Sequence, residues 1–303
     1  MSNKYKEENL LSLKIKSAFN PLLYLLATIV VITIALLIFF FPSITDAFVE
    51  AILSLNDEMF FIFVAAGFVA QMIDGSLGMA YGVSASTFLL SFGVPPAATS
   101  ASIHTSEIFT SGVSGFIHLK FRNVNKKLFL TLLVPGVVGS ILGAYILSSL
   151  QSYNYIFKPV VACYTLVLGL LILRKAIGKR IEKGKTKNVQ TLAVFGGFMD
   201  SVGGGGWGPI VSSTLIANGR DPRYTIGSVN LTEFFVSLAS SITFFFVIGI
   251  SHLTIIAGLI LGGVLAAPIA ASITRKLPVK RMMLVVAILI ILVSIRLIVT
   301  SFS

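Results

Sequence analysis

The chain reads as an all-α polytopic membrane protein, with two inverted repeats of five segments each. A re-entrant helical hairpin in each repeat and one extra N-terminal helix complete that expectation. Three observations carry it. The 303 residues are 55% apolar and only 12% charged, at a mean hydropathy of +0.94, so the charged surface of a soluble domain is missing. Runs such as Leu22–Phe41 and Met282–Val299 come close to the ~20 residues that cross a bilayer as helix. Finally, a shift of 126 residues lays Asp74–Ser111 on Asp200–Ser237 without a gap, with 12 of 38 positions identical. Such self-similarity marks a duplication.

Helix is the only spanning structure these runs allow. No water reaches the hydrocarbon core, so each run must satisfy its own backbone groups. The alternating ten-residue segments of an outer-membrane barrel are absent.

The N-terminal run is long for a signal sequence and no A-x-A-like site follows it before Pro42, so it reads as a retained helix. Residues 1–58 therefore comprise a cytoplasmic tail, this helix and an external acidic segment with Asp46, Glu50, Asp57 and Glu58. Repeat one covers 59–177, a basic cytoplasmic loop 178–188, and repeat two 189–303.

Within the repeats the expected segments are about 59–73, 77–91, 98–118, 128–149 and 156–174, then 189–199, 206–217, 224–249, 254–273 and 282–300. The first two of each set are too short to span comfortably. Between them lie Asp74-Gly75-Ser76-Leu77-Gly78 and Asp200-Ser201-Val202-Gly203-Gly204-Gly205-Gly206-Trp207. Each pair reads as a hairpin broken near the bilayer midplane, which is tolerated only where protein or a wet cavity surrounds it.

The net charge of +11 reports orientation rather than nucleic-acid binding. Of the 23 Lys and Arg, 21 fall in five clusters: the N-terminal tail, Lys120–Lys127, Arg174–Lys187, Arg220–Arg223 and Arg275–Arg281. Short basic loops mark the cytoplasmic side. That places the N-terminus in the cytoplasm of a bacterial inner-membrane type of cell membrane. It also places the two repeats in opposite orientations, since each has an odd number of segments. The same clusters attract anionic lipid. The single cysteine, Cys163, lies in an apolar run and excludes a disulfide framework or thiolate cluster.

The glycine-rich tips admit two readings. With no side chains, Gly75, Gly78, Gly203, Gly204, Gly205 and Gly206 expose backbone N–H groups. The helices that follow add their positive N-terminal ends, which suits a small anion bound with Ser76, Trp207, Ser100 and Asn230. Alternatively the glycines only let helices cross closely. For Gly139 and Gly143 close packing is the expected role.

Asp74, Glu107, Asp200 and Glu233 stand in apolar surroundings, where an ionised carboxylate at helix centre costs about 2.5–3.5 kcal/mol. They are expected to be paired, wet or protonated. Each aspartate precedes a short helix and can cap it, or can act directly. Glu107 and Glu233 lie inside long segments where capping is unavailable, so proton or cation coupling suits them better. The stripe Ser100, His104, Glu107, Ser111, mirrored by Asn230, Glu233, Ser237 and Ser241, faces a bundle interior or cavity. His104 is a further coupling candidate, or a satisfied interior histidine.

No H-E-x-x-H, P-loop or G-x-S-x-G motif occurs. No metal site, cofactor or ATP use is called for, and the chain is not expected to be an enzyme. A membrane-embedded hydrolase built on the intramembrane acids and His104 is the alternative. Duplicated tips and acids favour transport, because alternating access uses two symmetric gates while catalysis needs one site.

Residues 59–300 resemble the sulfite exporter TauE/SafE family. The resemblance rests on Gly67-Phe68, Asp74-Gly75-Ser76-Leu77-Gly78, Pro96 and Thr99-Ser100, and on Gly196-Gly197-Phe198-Met199-Asp200 with Gly203–Pro209. The small-residue helix Pro135-Gly136, Gly139, Gly143-Ala144 adds to it. It implies a secondary transporter moving a small sulfur-containing anion, such as sulfite or an organosulfonate, across the cytoplasmic membrane. The first tip is poorer in glycine than the family's usual pattern, and Val83 stands opposite Pro209. The partners implied are the anionic solute, a coupling proton or cation, and membrane lipid but not nucleic acid; a homodimer is left open.

Overall fold

A matching glycine and proline build the same corner twice. In a computed structural model, helices α2 (Tyr81–Ser91) and α7 (Gly208–Ala217) both end in the same arrangement. Gly93 and Gly219 take positive φ, 84° and 85°, where a Cβ would be strained. The N–H of the residue beyond each glycine reaches back, Val94 to Leu89 O and Arg220 to Leu215 O, at 3.1 Å in both cases. Pro96 and Pro222 then open the next helices at their first position, where a missing N–H costs nothing.

The structure describes residues 58–77, 79–177, 188–249, 252–273 and 279–302. The expected helix at Leu22–Phe41, Gly78 and most of the Arg174–Lys187 loop lie outside these. Among the described residues ten helices follow in order: α1 (Glu58–Leu77), α2, α3 (Pro96–Lys120), α4 (Lys126–Ser149), α5 (Asn154–Ile177), α6 (Val189–Gly203), α7, α8 (Pro222–Ile248), α9 (Leu253–Ile273) and α10 (Val279–Phe302). A π-helical turn over Gly208–Ser212 begins α7. No strand occurs among the described residues.

Packing is reciprocal. The first helix of each half lies on the fourth of the other, α1 on α9 and α6 on α4. Third packs on third (α3 on α8) and last on last (α5 on α10). Small residues bring the backbones together. A Cβ at Gly139 would strike the Val194 carbonyl, and one at Gly143 the Phe198 carbonyl; Gly67 meets Leu259 in the same way. Close crossing, the expected role of Gly139 and Gly143, is what they do here.

Four described stretches are long and apolar enough to cross a membrane: Lys126–Ser149, Gln151–Ile177, Pro222–Ile248 and Met283–Ser301. Their outer faces leave Val134, Tyr155, Phe246 and Leu292 exposed, as side chains that meet lipid would be.

Two helices run further than the sequence suggested. α1 continues through Asp74, Gly75, Ser76 and Leu77 to reach 20 residues, about 30 Å, so the helix runs past Asp74 and the described non-helical residues before α2 are Met79 and Ala80. α6 continues through Asp200 to Gly203. Each aspartate therefore belongs to the closing turn of the first helix of its pair, and only its side chain leans forward to the second.

Candidate functional site

The second break is shaped by its glycines. After Gly203, Gly204, Gly205 and Gly206 hold φ of 66°, 145° and 150°, a path that side chains rarely follow. Asp200 stitches the two ends together. Its backbone carbonyl accepts from the Gly205 N–H at 2.9 Å, and its Oδ1 accepts from the Trp207 N–H at 2.8 Å. The carboxylate thus caps the start of α7 from seven residues upstream. At the first break Asp74 faces the backbone N–H of Tyr81, again seven residues on.

The second break touches the first turn of α2. A Cβ added to Gly82 would lie 2.6 Å from Gly205 Cα and 2.9 Å from Gly204 O. Ser86 Oγ donates to Gly203 O (2.7 Å), Ser100 Oγ to Ser201 O (2.5 Å) and the Tyr164 hydroxyl to Gly205 O (2.9 Å). The glycine run is closed against α2, α3 and α5 in this arrangement. Trp207 is fully buried among Gly136, Gly196 and Val229, with its indole N–H on Val229 O at 3.2 Å.

The polar stripes of α3 and α8 meet beside the tips. His104 Nε2 lies 3.1 Å from Asp200 Oδ2, and its Nδ1 lies 2.8 Å from Ser100 O. Glu107 Oε2 accepts from Ser237 Oγ at 3.2 Å, and Ser111 Oγ donates to the Glu107 carbonyl. Ligating atoms of His104, Glu107 and Asp200 come within 4.8 Å of one another, all three residues buried. Within this cluster His104 and Asp200 are in direct contact.

On the other side of Glu107 a cavity of about 20 Å³ is lined by Asp74, Tyr81, Glu107, Thr110, Ser111, Ser114, Asn230 and Glu233. That is room for one or two waters. Asn230 Nδ2 donates to Ser114 Oγ at 2.9 Å, and the Tyr81 hydroxyl contacts Ser106 Oγ at 3.1 Å.

The structure therefore collects all five coupling candidates around Glu107. It divides the ten substrate-binding candidates. Asn230 lines the cavity, Ser100 braces the second tip, and Gly203–Gly206 and Trp207 form that tip. Gly75 and Ser76 lie in the last turn of α1, the Ser76 side chain and Gly78 lying outside what is described. Tyr164, Ser86 and Thr110 were missed. Tyr164 sits in the middle of an apolar helix, and only its hydroxyl in that setting could have flagged it.

The model of the sulfite exporter TauE/SafE family matches residues 63–297. The chain belongs to that family. A relative in Bacillus subtilis (strain 168), described as "Probable membrane transporter protein YtnM", is 38% identical over 246 residues, covering 78% of this chain and 81% of its own. No solved structure matches. This TauE/SafE protein is accordingly a multi-pass membrane transporter, and the paired tips and buried acids lie within the matched region.

Proposed function

We propose that the protein is a secondary transporter. It moves a small sulfur-containing anion, such as sulfite or an organosulfonate, across the cell membrane by alternating access between two inverted repeats. The N-terminus lies in the cytoplasm. The observation that carries this reading is the contact of the two hairpins at Gly82, in the first turn of α2, and Gly205, in a fold with a cavity lined by three carboxyls. Reciprocal packing gives each half one break and one stripe, as two gates around one site require.

The carboxyls also constrain how an anion could be carried. Among the described lining residues of the cavity there is no cationic side chain. An ionised Asp74, Glu107 or Glu233 would repel an anion at close range. The solute therefore enters when protons or a cation neutralise these groups, and the helix starts at Tyr81 and Gly208 supply the attraction. That makes anion and proton, or anion and cation, travel together.

The hydrolase alternative finds less support at His104, where the neighbouring Ser100 hydroxyl donates to the Ser201 carbonyl. Counterflow in proteoliposomes with sulfite and small sulfonates, chloride serving as control, tests the reading. Exchange of sulfur anions and not of chloride is expected. Equal movement of all or none would reject the substrate class.

A further inference from the structure

Both ring nitrogens of His104 are committed, and together they specify a proton. Nδ1 lies 2.8 Å from Ser100 O, and a carbonyl oxygen only accepts, so Nδ1 carries hydrogen. Ser100 Oγ, 3.3 Å from the same nitrogen, gives its own hydrogen to Ser201 O and can also only accept. A neutral imidazole has one N–H, so Nε2 would present a lone pair to Asp200 Oδ2 at 3.1 Å. Two acceptors in contact with both residues fully buried is an arrangement that a folded protein avoids. One added proton turns it into a hydrogen bond, as imidazolium on carboxylate or imidazole on carboxylic acid.

We propose that His104 and Asp200 form a proton-binding site, and that its proton is the ion coupled to solute movement. The coupling half of this statement rests on the transport reading above; the proton site does not. The structure links this proton to the second tip, because the other oxygen of Asp200 holds the Trp207 N–H at 2.8 Å. Releasing the proton restores lone pair against lone pair, and the carboxylate can turn away only by giving up its hold on α7.

The groups facing the pair are Glu107 on α3, Tyr164 on α5, and across the cavity Asp74, Tyr81 and Glu233 from α1, α2 and α8. Glu107 borders both the pair and the cavity, so it is the acceptor to which the proton would pass.

Trp207 is the chain's one tryptophan, so its emission reports on this tip alone. The test is a pH titration of that emission for the full chain in nanodiscs. Wild type should show a transition of one proton, lost in His104→Gln and in Asp200→Asn and kept in His118→Gln and His252→Gln. A transition that survives in His104→Gln, or follows His118 or His252, would overturn the site.

Should both central variants aggregate, nitrogen NMR of labelled wild-type histidine decides the matter. An Nε2–H imidazole with bare Nδ1 contradicts the proposal. Stoichiometric divalent metal in the purified protein, with chelation abolishing the transition, would replace the proton by a metal ion. If the titration holds while counterflow fails for every sulfur anion, the proton site stands and the transport reading falls.

Discussion

The two halves place the same acids differently. At the second tip Asp200 is closed in, bonded to His104 on one oxygen and to the Trp207 N–H on the other. At the first tip Asp74 looks into a cavity with Glu233 and Asn230. The difference traces to one aligned pair of positions, histidine at 104 and asparagine at 230. His104 reaches across to the opposite tip and pairs with Asp200 there, whereas Asn230 bonds Ser114 beside the cavity. Duplication supplied two matching frames, and a single side chain made one a latch and the other an opening. Glu107 touches both.

The largest effect expected from breaking this arrangement is at the contact of the tips. Gly205→Val sets a branched side chain against the backbone of Gly82 and Val83, at a φ of +145°, a backbone strain of about 1–3 kcal/mol before the clash. Flux should fall by on the order of 100-fold or more, ~2.7 kcal/mol by the usual conversion, while the protein still inserts. Near-normal flux in Gly205→Val would show that the tips need not meet.

A smaller contrast lies between the aspartates. Asp200→Ala removes the partner of a fully buried histidine and should destabilise the fold by about 3–5 kcal/mol. Asp74→Ala loses a capping interaction beside a wet cavity, about 0.5–2 kcal/mol. Equilibrium unfolding in mixed micelles measures both, and equal losses would erase the distinction between closed and open halves.

The smallest effect is on binding in Glu107→Gln and Glu233→Gln, which keep size and hydrogen bonding. They should flatten the pH dependence of transport more than they weaken solute affinity, Glu107 more than Glu233 because it borders both regions. Unchanged pH profiles in both would leave these glutamates as interior hydrogen-bonding groups.

Much of this was legible in the sequence. Apolar length and the 126-residue repeat gave the helices nearly one for one, since in lipid an apolar run has few other options. Gly93 and Gly219 match across that repeat and take the two corners, because a residue free of a Cβ fits there easily. Helix ends at the breaks were less legible. Asp74 and Asp200 look like breakers, but surrounding packing carries α1 and α6 past them. The crossed pairing of His104 with Asp200 was invisible too. Residues 96 positions apart in sequence meet only because the halves pack reciprocally, and no local pattern states which stripe faces which tip. Tyr164 went unseen for the same reason.

The account turns on whether a proton travels with the anion. Methanesulfonate stays ionised across the working range, so any pH effect on its movement belongs to the protein. Proteoliposomes with the membrane potential clamped at zero, and an inward proton gradient imposed, isolate the coupling. The account predicts methanesulfonate accumulation that follows the gradient in wild type and vanishes in Glu107→Gln. Uptake at the same rate with and without the gradient, in a preparation active in counterflow, would contradict it.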